Sequence, residues 1–593
     1  MKRLKYLTRA AVFFMLIGPC AVFAAPVVLY TDISSGPNTG GESNNGAYLS
    51  IFGKGFGSNI SRIKVYVGGS GDVTHEVARY IYVGPSLGRS DIDEVAVQLG
   101  PNVATGQIKV VVDGIASNTD QSFTVRAGNI YFISPSGSNS TGQVNQISRP
   151  FLSANYVHNL SSFQAGDFII ALPGTYVLSQ TDAPSNAGTM LRASKSGTTS
   201  APNAFLGYPG HGAVLNHSNA LRIISNYVSI SNWVVGGFSV NLTDCVSNGE
   251  FITLGTTTTP QVCQDTAGTV SGKATNIKIV NIEADGHDTG GFCSGGDGLI
   301  EIMYSQGVKV IGVSLHNTSP VQGDSESAHA IYLSARQSGT EVAWNTLYNI
   351  PATRGVIQVH QDSFSGTCWG TKQLTDIAIH DNVLHDLAGQ NILLDGGTGD
   401  ITLYNNLIYN NLDHRYNDVI SLRGSGGTLN AKLYNNTVYV NTNTGGRGFL
   451  IGIGSSGLPQ HVTLYNNIFA LADSQDVYYG SDWYSSAQLL SWIQAGNVTS
   501  DNNIWYGSSG AVPPFVGAHE QSTDPAFVSP GFNFHLLNPG SPAIDHGTSA
   551  VATVVTRDLD GNLRPQGTTI DIGAMETAGT SLPTPTNFTI QRR

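Results

Sequence analysis

The chain has 593 residues and a net charge of −12, with only 12% of its residues charged and with 70 glycines. An acidic balance of this size argues against nucleic acid as a partner. The abundance of Gly, Ser, Thr and Asn fits stacked turns and side-chain hydrogen-bond ladders, not a helical protein.

In chain order, residues 1–24 come first. MKRLKYLTRA is cationic, AVFFMLIGPCAVFA is apolar, and small residues stand at Ala24 and Ala25. This is the pattern of a secretory signal peptide, and it predicts a periplasmic or secreted mature protein. Removing Lys2, Arg3, Lys5 and Arg9 leaves 25 cations against 41 acids, a balance of −16. No later run approaches a membrane span, so no membrane-crossing segment and a monomeric protein are expected.

From residue 25 to 127, YLSIFGKGFG, IKVYVGG, EVAVQLG, GQIKVVVDG and QSFTVR read as short alternating strands between Gly- and Asn-containing turns, spaced as in a small β-sandwich. Through the GKGFG turn, the VGG turn and the closing strand before Arg126, this stretch resembles the IPT/TIG immunoglobulin-like domains. The resemblance implies a supporting spacer or a carbohydrate- or surface-binding module.

Residues 128–176 read NIYFISPSGSNSTG, RPFLSANYVHNL and AGDFIIALPGTY: a strand, a Gly/Ser loop, a short amphipathic helix and a second strand. The helix is placed to cover the open end of a solenoid. Ser134, Pro135, Gly137, Pro150, Phe151, Gly166, Asp167, Pro173, Gly174 and Tyr176 carry a resemblance to the opening of secreted right-handed parallel β-helix proteins of the pectate-lyase-like superfamily. DPAF (524–527), GSPAID (540–545) and DLDGNLRPQGTTIDIGAME (558–576) resemble the closing segment of bacterial members of that group. Residues 128–576 are thus expected to form one right-handed parallel β-helix, an all-β solenoid with its own caps, and the Thr/Pro-rich 577–593 a loose tail.

Between these ends one phrase recurs: VSISNW, IKIVNI, VKVIGV, VAWNTL, IAIHDNVL, ITLYNNLI, AKLYNNTV, VTLYNNIF and SDNNIW. Its marked position falls at Asn232, Asn281, Gly312, Asn345, Asn382, Asn406, Asn436, Asn467 and Asn503. From Asn281 the spacings are 31, 33, 37, 24, 30, 31 and 36, so strands keep register while loops vary. The Asn column is expected to be an internal amide ladder. Tyr404, Tyr434 and Tyr465 should form an aromatic column, and exposed members could meet sugar rings.

A second strand family precedes each Asn: DGLIEIMY, HAIYLSA, GVIQVHQD, NILLDGG, DVISLRG and GFLIGIG. Period 2 places Ile300/Ile302, Ile331/Leu333, Ile357/Val359 and Ile392/Leu394 inside, and Glu301, Tyr332, Ser334, Gln358, His360, Asp395 and Arg423 outside. His329, Arg336, Arg354, Asp297, Asp285, His287, Asp288, Asp324 and Glu326 lie at the edges. The four mature cysteines, Cys245, Cys263, Cys293 and Cys368, allow three disulfide pairings. Cys245 with Cys263 and Cys293 with Cys368 are favoured because each would staple long insertions.

A groove along stacked coils matches an extended polymer, so a polysaccharide is the expected partner. The superfamily holds lyases, hydrolases, epimerases and non-catalytic adhesins, and fold alone does not choose among them. For a lyase on a uronate polymer, His360 or His329 would be the base, Tyr332 the acid, Arg354 or Arg423 the carboxylate clamp, and Gln358, Arg336 and Asp297 substrate contacts. Lys, used by several related lyases, is scarce in these coils. A hydrolase would need paired carboxylates about 5 to 9.5 Å apart, whereas Glu301 and Asp395 are three coils apart, roughly 14 Å. The DGHD run offers Ca²⁺ oxygen ligands in Asp285 and Asp288, which could equally cap turns. Elimination stands slightly ahead of hydrolysis, with a non-catalytic surface-binding protein as the third reading.

Overall fold

Alternation of apolar and polar residues builds each coil. Ile377/Ile379, Ile401/Leu403, Ala431/Leu433 and Val462/Leu464 are at most 2% exposed, and each pair stacks on the same pair of the next coil in a parallel ladder. The computed structural model describes residues 25–70, 73–177, 190–216, 221–223, 230–241, 252–254, 274–286, 298–317, 329–350, 355–361, 374–387, 389–397, 399–410, 418–424, 428–440, 449–453, 457–471, 477–481, 484–507, 513, 517–537 and 539–577. The expected signal peptide, the expected tail beyond Thr577 and Cys245, Cys263, Cys293 and Cys368 lie outside the described residues. The strands from Ile130–Ile133 to Ile504–Tyr506 form one continuous parallel β-helix, right-handed as parallel crossovers are.

Each coil has three faces. In one representative coil, Glu341–Ala343 lies on the first, Thr346–Ile350 on the second and Ile357–His360 on the third. The corner between the first two faces is a two-residue turn. Its first residue is left-handed: Gly237, Asn281, Gly312, Trp344, Asp381, Asn405, Asn435, Asn466 and Asn502 have φ between 51° and 72°, a region that Gly, Asn and Asp enter most readily. Its second residue points inward: Phe238, Ile282 and Val313 in the early coils, a buried Asn in the later ones.

That second position forms the expected ladder, but only from Asn345 onward. Asn345, Asn382, Asn406, Asn436, Asn467 and Asn503 are linked Nδ2 to Oδ1 at 2.9 Å throughout. Each of the first five also donates its backbone N–H to the next Oδ1. Asn281 and Gly312 belong instead to the left-handed position one residue earlier, and Asn232 to another corner, where it aligns with Asn276 and accepts its side-chain amide at 3.3 Å. The correction has a steric cause at Gly312, where a Cβ would lie 2.2 Å from the Tyr30 hydroxyl of the N-terminal sandwich.

The sandwich pairs Val27–Thr31, Tyr48–Lys54, Asp93–Gln98 and Arg79–Pro85 in one sheet, and packs it on a second containing Ile63–Val67, Gly106–Val112 and Ser122–Val125. It is not a detached spacer. The outer side of the first face is apolar over the early coils, with Phe132, Ile170, Leu206, Val280, Ile311 and Ala343 buried in one cluster with Tyr30, Phe52 and Val65. Arg89 is 3% exposed; it donates to the Asp381 carbonyl at 2.6 Å, pairs with Asp91, and lies over Trp344.

Farther along, the same face is covered by the C-terminal segment. Val551, Val555 and Ile570 pack on Tyr404, Tyr434 and Tyr465; Tyr434 and Tyr465 stack at 6.0 Å. These tyrosines are scaffold, not a sugar platform, because the segment lies on them. Helix Ala154–Asn159 closes one end as expected, with Ala154 and Val157 in the main core. A second helix, Ser486–Trp492, puts Leu489 and Trp492 into that core at the other end. Its Ser485/Gln488 capping box, just ahead of an apolar run, was the available sequence signal. Among the described residues no helix is long and apolar enough to cross a membrane.

Asn436→Leu should leave the Asn406 backbone N–H and the Leu403 carbonyl unmatched. We expect a loss of about 2 to 4 kcal/mol in urea denaturation, at about 1 to 3 kcal/mol per stranded buried group. Beside the ladder, burial opposes charge on His380, but Asp381 at 2.6 Å and Glu341 at 3.3 Å outweigh it and push its pKa up to about 9. Burial likewise opposes charge on Glu341, yet His380 and Lys309 take it down to about 2. The His380 contribution is full below the ordinary histidine pKa of about 6.5 and is lost as pH rises through about 9; the Glu341 contribution is full above the ordinary glutamate pKa of about 4.3 and is lost as pH falls through about 2. Stability measured against pH should therefore decline less on the alkaline side in His380→Gln than in the parent.

Candidate active site

The third face carries the residues that period 2 placed outside. Ile300, Ile302, Ile331, Leu333, Ile357, Val359, Ile392 and Leu394 are in the core, so Glu301, Tyr332, Ser334, Gln358, His360, Asp395 and Arg423 lie on the opposite side of their strands. Parallel register aligns them in two columns. Glu301, Tyr332 and Gln358 follow one another in the first; Ser334, His360, Asp395 and Arg423 form the second. Since one coil advances about 4.8 Å, Glu301 and Asp395 are three coils apart, as the sequence register implied.

These columns converge on one line of polar contacts, a hydrogen bond followed by two longer ion-pair contacts. The Tyr332 hydroxyl is 2.8 Å from His360 Nδ1, His360 Nε2 is 3.6 Å from Asp395 Oδ2, and Arg423 reaches the same oxygen at 3.8 Å. With Nε2–H directed at the carboxylate, Nδ1 accepts the phenolic proton; this tautomer is assigned from the partners. His329 donates from Nδ1 to the Gly355 carbonyl at 2.8 Å and stacks on Tyr332 at 4.9 Å, with the ring planes 12° apart. The phenol is therefore held on its face by one histidine and at its oxygen by another. The geometry joins Tyr332 and His360 by a hydrogen bond, with Asp395 facing the other ring nitrogen as a charged neighbour.

The face is less open than its polarity implied. Glu301 is 1% exposed, Gln358 4%, His329 4%, Tyr332 7% and Asp395 8%, whereas the His360 side chain is 30% exposed. Solvent thus reaches the line chiefly at His360. Polar residues on a strand face need not be wet: groups with hydrogen-bond or charged partners tolerate burial that isolated groups would not.

Of the remaining sequence candidates, Asp285 lies on the second face, accepting from Asn317 at 3.2 Å and 3.8 Å from His316. It is on a different side of the solenoid from Asp395, so the two do not form a carboxylate pair. Arg354, Asp297, His287, Asp288, Asp324 and Glu326 lie outside the described residues, as does the side chain of Arg336. Among the described residues no group of three His, Cys, Asp or Glu is placed to hold a metal ion, so the Ca²⁺ expectation has no ligand set there. The sequence reading missed a ring column on the second face, His316, Tyr348, His385 and Tyr409, stacked at 4.6 to 5.1 Å. The last three lie three residues after a ladder Asn, which was the signal available for finding them.

No protein-family model matches the chain, and no curated protein does. Among solved structures it is similar to the pectate lyase Pel9A, with 15% identity, 76% of this chain and 96% of that one covered, and a TM-score of 0.43. It is also similar to a mannuronic acid specific polysaccharide family 6 lyase from human gut microbiota, with 12% identity, 67% and 92% coverage and a TM-score of 0.33. A third is PfbA, a surface adhesin of Streptococcus pneumoniae, with 11% identity, 58% and 78% coverage and a TM-score of 0.32. At these scores the likenesses assign no activity to this chain.

In protein carrying ¹⁵N-labelled histidine, the neutral form of His360 should carry its proton on Nε2 and leave Nδ1 unprotonated. The signal is assigned by its loss in His360→Ala, and Asp395→Asn should redistribute the proton between the two nitrogens.

Proposed function

We propose that this protein is a secreted, carbohydrate-active enzyme that breaks a uronate-containing polysaccharide by β-elimination on its third face. The supporting observation is the 2.8 Å contact between the Tyr332 hydroxyl and His360 Nδ1, backed by Asp395. In this reading His360 takes the phenolic proton, and the Tyr332 phenolate removes the proton on the carbon beside the uronate carboxyl. Electrons from that C–H bond form the new double bond as the glycosidic C–O bond breaks. The His360 imidazolium returns its proton to the departing oxygen. Asp395 stabilises the charged imidazole in the interval, and Arg423, two coils or roughly 10 Å from His360, faces the carboxylate of a neighbouring sugar unit. The N-terminal 24 residues support export, and the acidic mature balance leaves local cations such as Arg423 to attract the polymer.

Hydrolysis has less support, because Glu301 is almost fully buried and three coils from Asp395. Burial of Tyr332 and Gln358 favours a second reading, a polysaccharide-binding surface protein without turnover.

Incubation with polygalacturonate, polymannuronate and polyguluronate, followed by ultraviolet absorbance of unsaturated chain ends, separates these readings. Elimination raises absorbance together with reducing ends; reducing ends alone mean hydrolysis, and neither signal means binding only. On an active polymer, Tyr332→Phe and His360→Ala should each lower kcat by about 10²- to 10⁴-fold, the usual worth of a general acid or base. Arg423→Ala should act chiefly on KM.

A further inference from the structure

A groove of about 580 Å³ lies on the second face, where sandwich, solenoid and C-terminal segment meet. Its floor includes Glu283, Tyr348, His385 and Tyr409, one wall is the sandwich loop Leu87–Asp91, and the other is the hairpin bearing Phe532–His535. The floor runs from the coil of Glu283 through those of Ser314, Thr346 and Val383 to that of Leu407. These four coil steps span roughly 19 Å, enough for a short chain of sugar rings. The site stands apart from the third-face chemistry and does not depend on it.

Three observations define what the groove would hold. The rings of Tyr348, His385 and Tyr409 stack with planes 3° and 16° apart at one-coil intervals, so their polar edges repeat along the floor as hydroxyl groups do along a glycan. At the rim, Phe532 is 90% exposed, an aromatic face available to the apolar side of a sugar ring. The charges in the groove are already matched. Arg89 and Lys54 both pair with Asp91, His535 pairs with Asp560, and Glu283 faces His316. With no surplus positive charge, the groove does not suit a polyuronate or a phosphate.

We infer that this groove is a second carbohydrate site, which binds a neutral linear oligosaccharide independently of the third face. Glu283 and the ring edges would take its hydroxyls, and Phe532 would stack on one ring.

Calorimetric titration of the full-length chain with cellohexaose, mannohexaose and hexagalacturonate tests this. At least one neutral hexasaccharide should bind with a Kd below about 1 mM. Phe532→Ala, at a position exposed enough to spare the fold, should weaken it roughly five-fold or more, the order expected for one lost aromatic platform. Glu283→Gln should weaken it as well, whereas His360→Ala should leave the affinity within about two-fold. The inference is overturned if neither neutral sugar binds, if hexagalacturonate binds more tightly than both, if Phe532→Ala and Glu283→Gln both bind as the parent does, or if His360→Ala alone abolishes binding.

Discussion

The amide ladder from Asn345 to Asn503 is the constraint on which the later coils depend. Each Oδ1 from Asn382 to Asn503 accepts from the amide and the backbone N–H of the preceding ladder Asn, and each Nδ2 from Asn345 to Asn467 also donates to a carbonyl. A slip of one residue in any coil would strand several buried polar groups at about 1 to 3 kcal/mol each. It would also turn that strand's core residues to the opposite face. The ladder therefore holds register while loops between strands change length, and the register keeps His360, Asp395 and Arg423 in line.

The left-handed residue beside the ladder has the opposite orientation and a different task. Asn281 accepts from the Leu87 backbone N–H and donates to Glu94 of the sandwich. Asn405, Asn435, Asn466 and Asn502 donate to carbonyls of Arg557, Asp571, Thr548 and His546 in the C-terminal segment. Both flanking modules are thus attached at one corner. Gly88 shows how close the approach is, since a Cβ there would lie 1.7 Å from the Gly312 carbonyl. With the first face covered by both modules, the second is left as a groove between them, and the third carries the Tyr332 line.

Much of this was legible from spacing. The doubled Asn in YNN encodes a corner with one residue left-handed and the next inside, and period 2 sorted the third-face strands into core and outer residues. The outer set came together as anticipated at Tyr332, His360, Asp395 and Arg423. What alternation does not carry is exposure. Glu301 and Gln358 are on the outer side and yet buried, because covering an outer face requires chain from elsewhere. For the same reason the tyrosine column at 404, 434 and 465 looked available and is not.

Local chemistry in the chain was therefore sufficient for the parallel solenoid, its register from Asn345 onward, the helical lid at its start and the order of candidate residues along one face, since all of these follow from short periodicities. The tertiary arrangement settled which faces are covered, where the sandwich docks, and that Tyr332 bonds to His360. Those outcomes depend on contacts between segments far apart in the chain, such as Arg89 with Asp381 and Asn435 with Asp571, which no local pattern encodes.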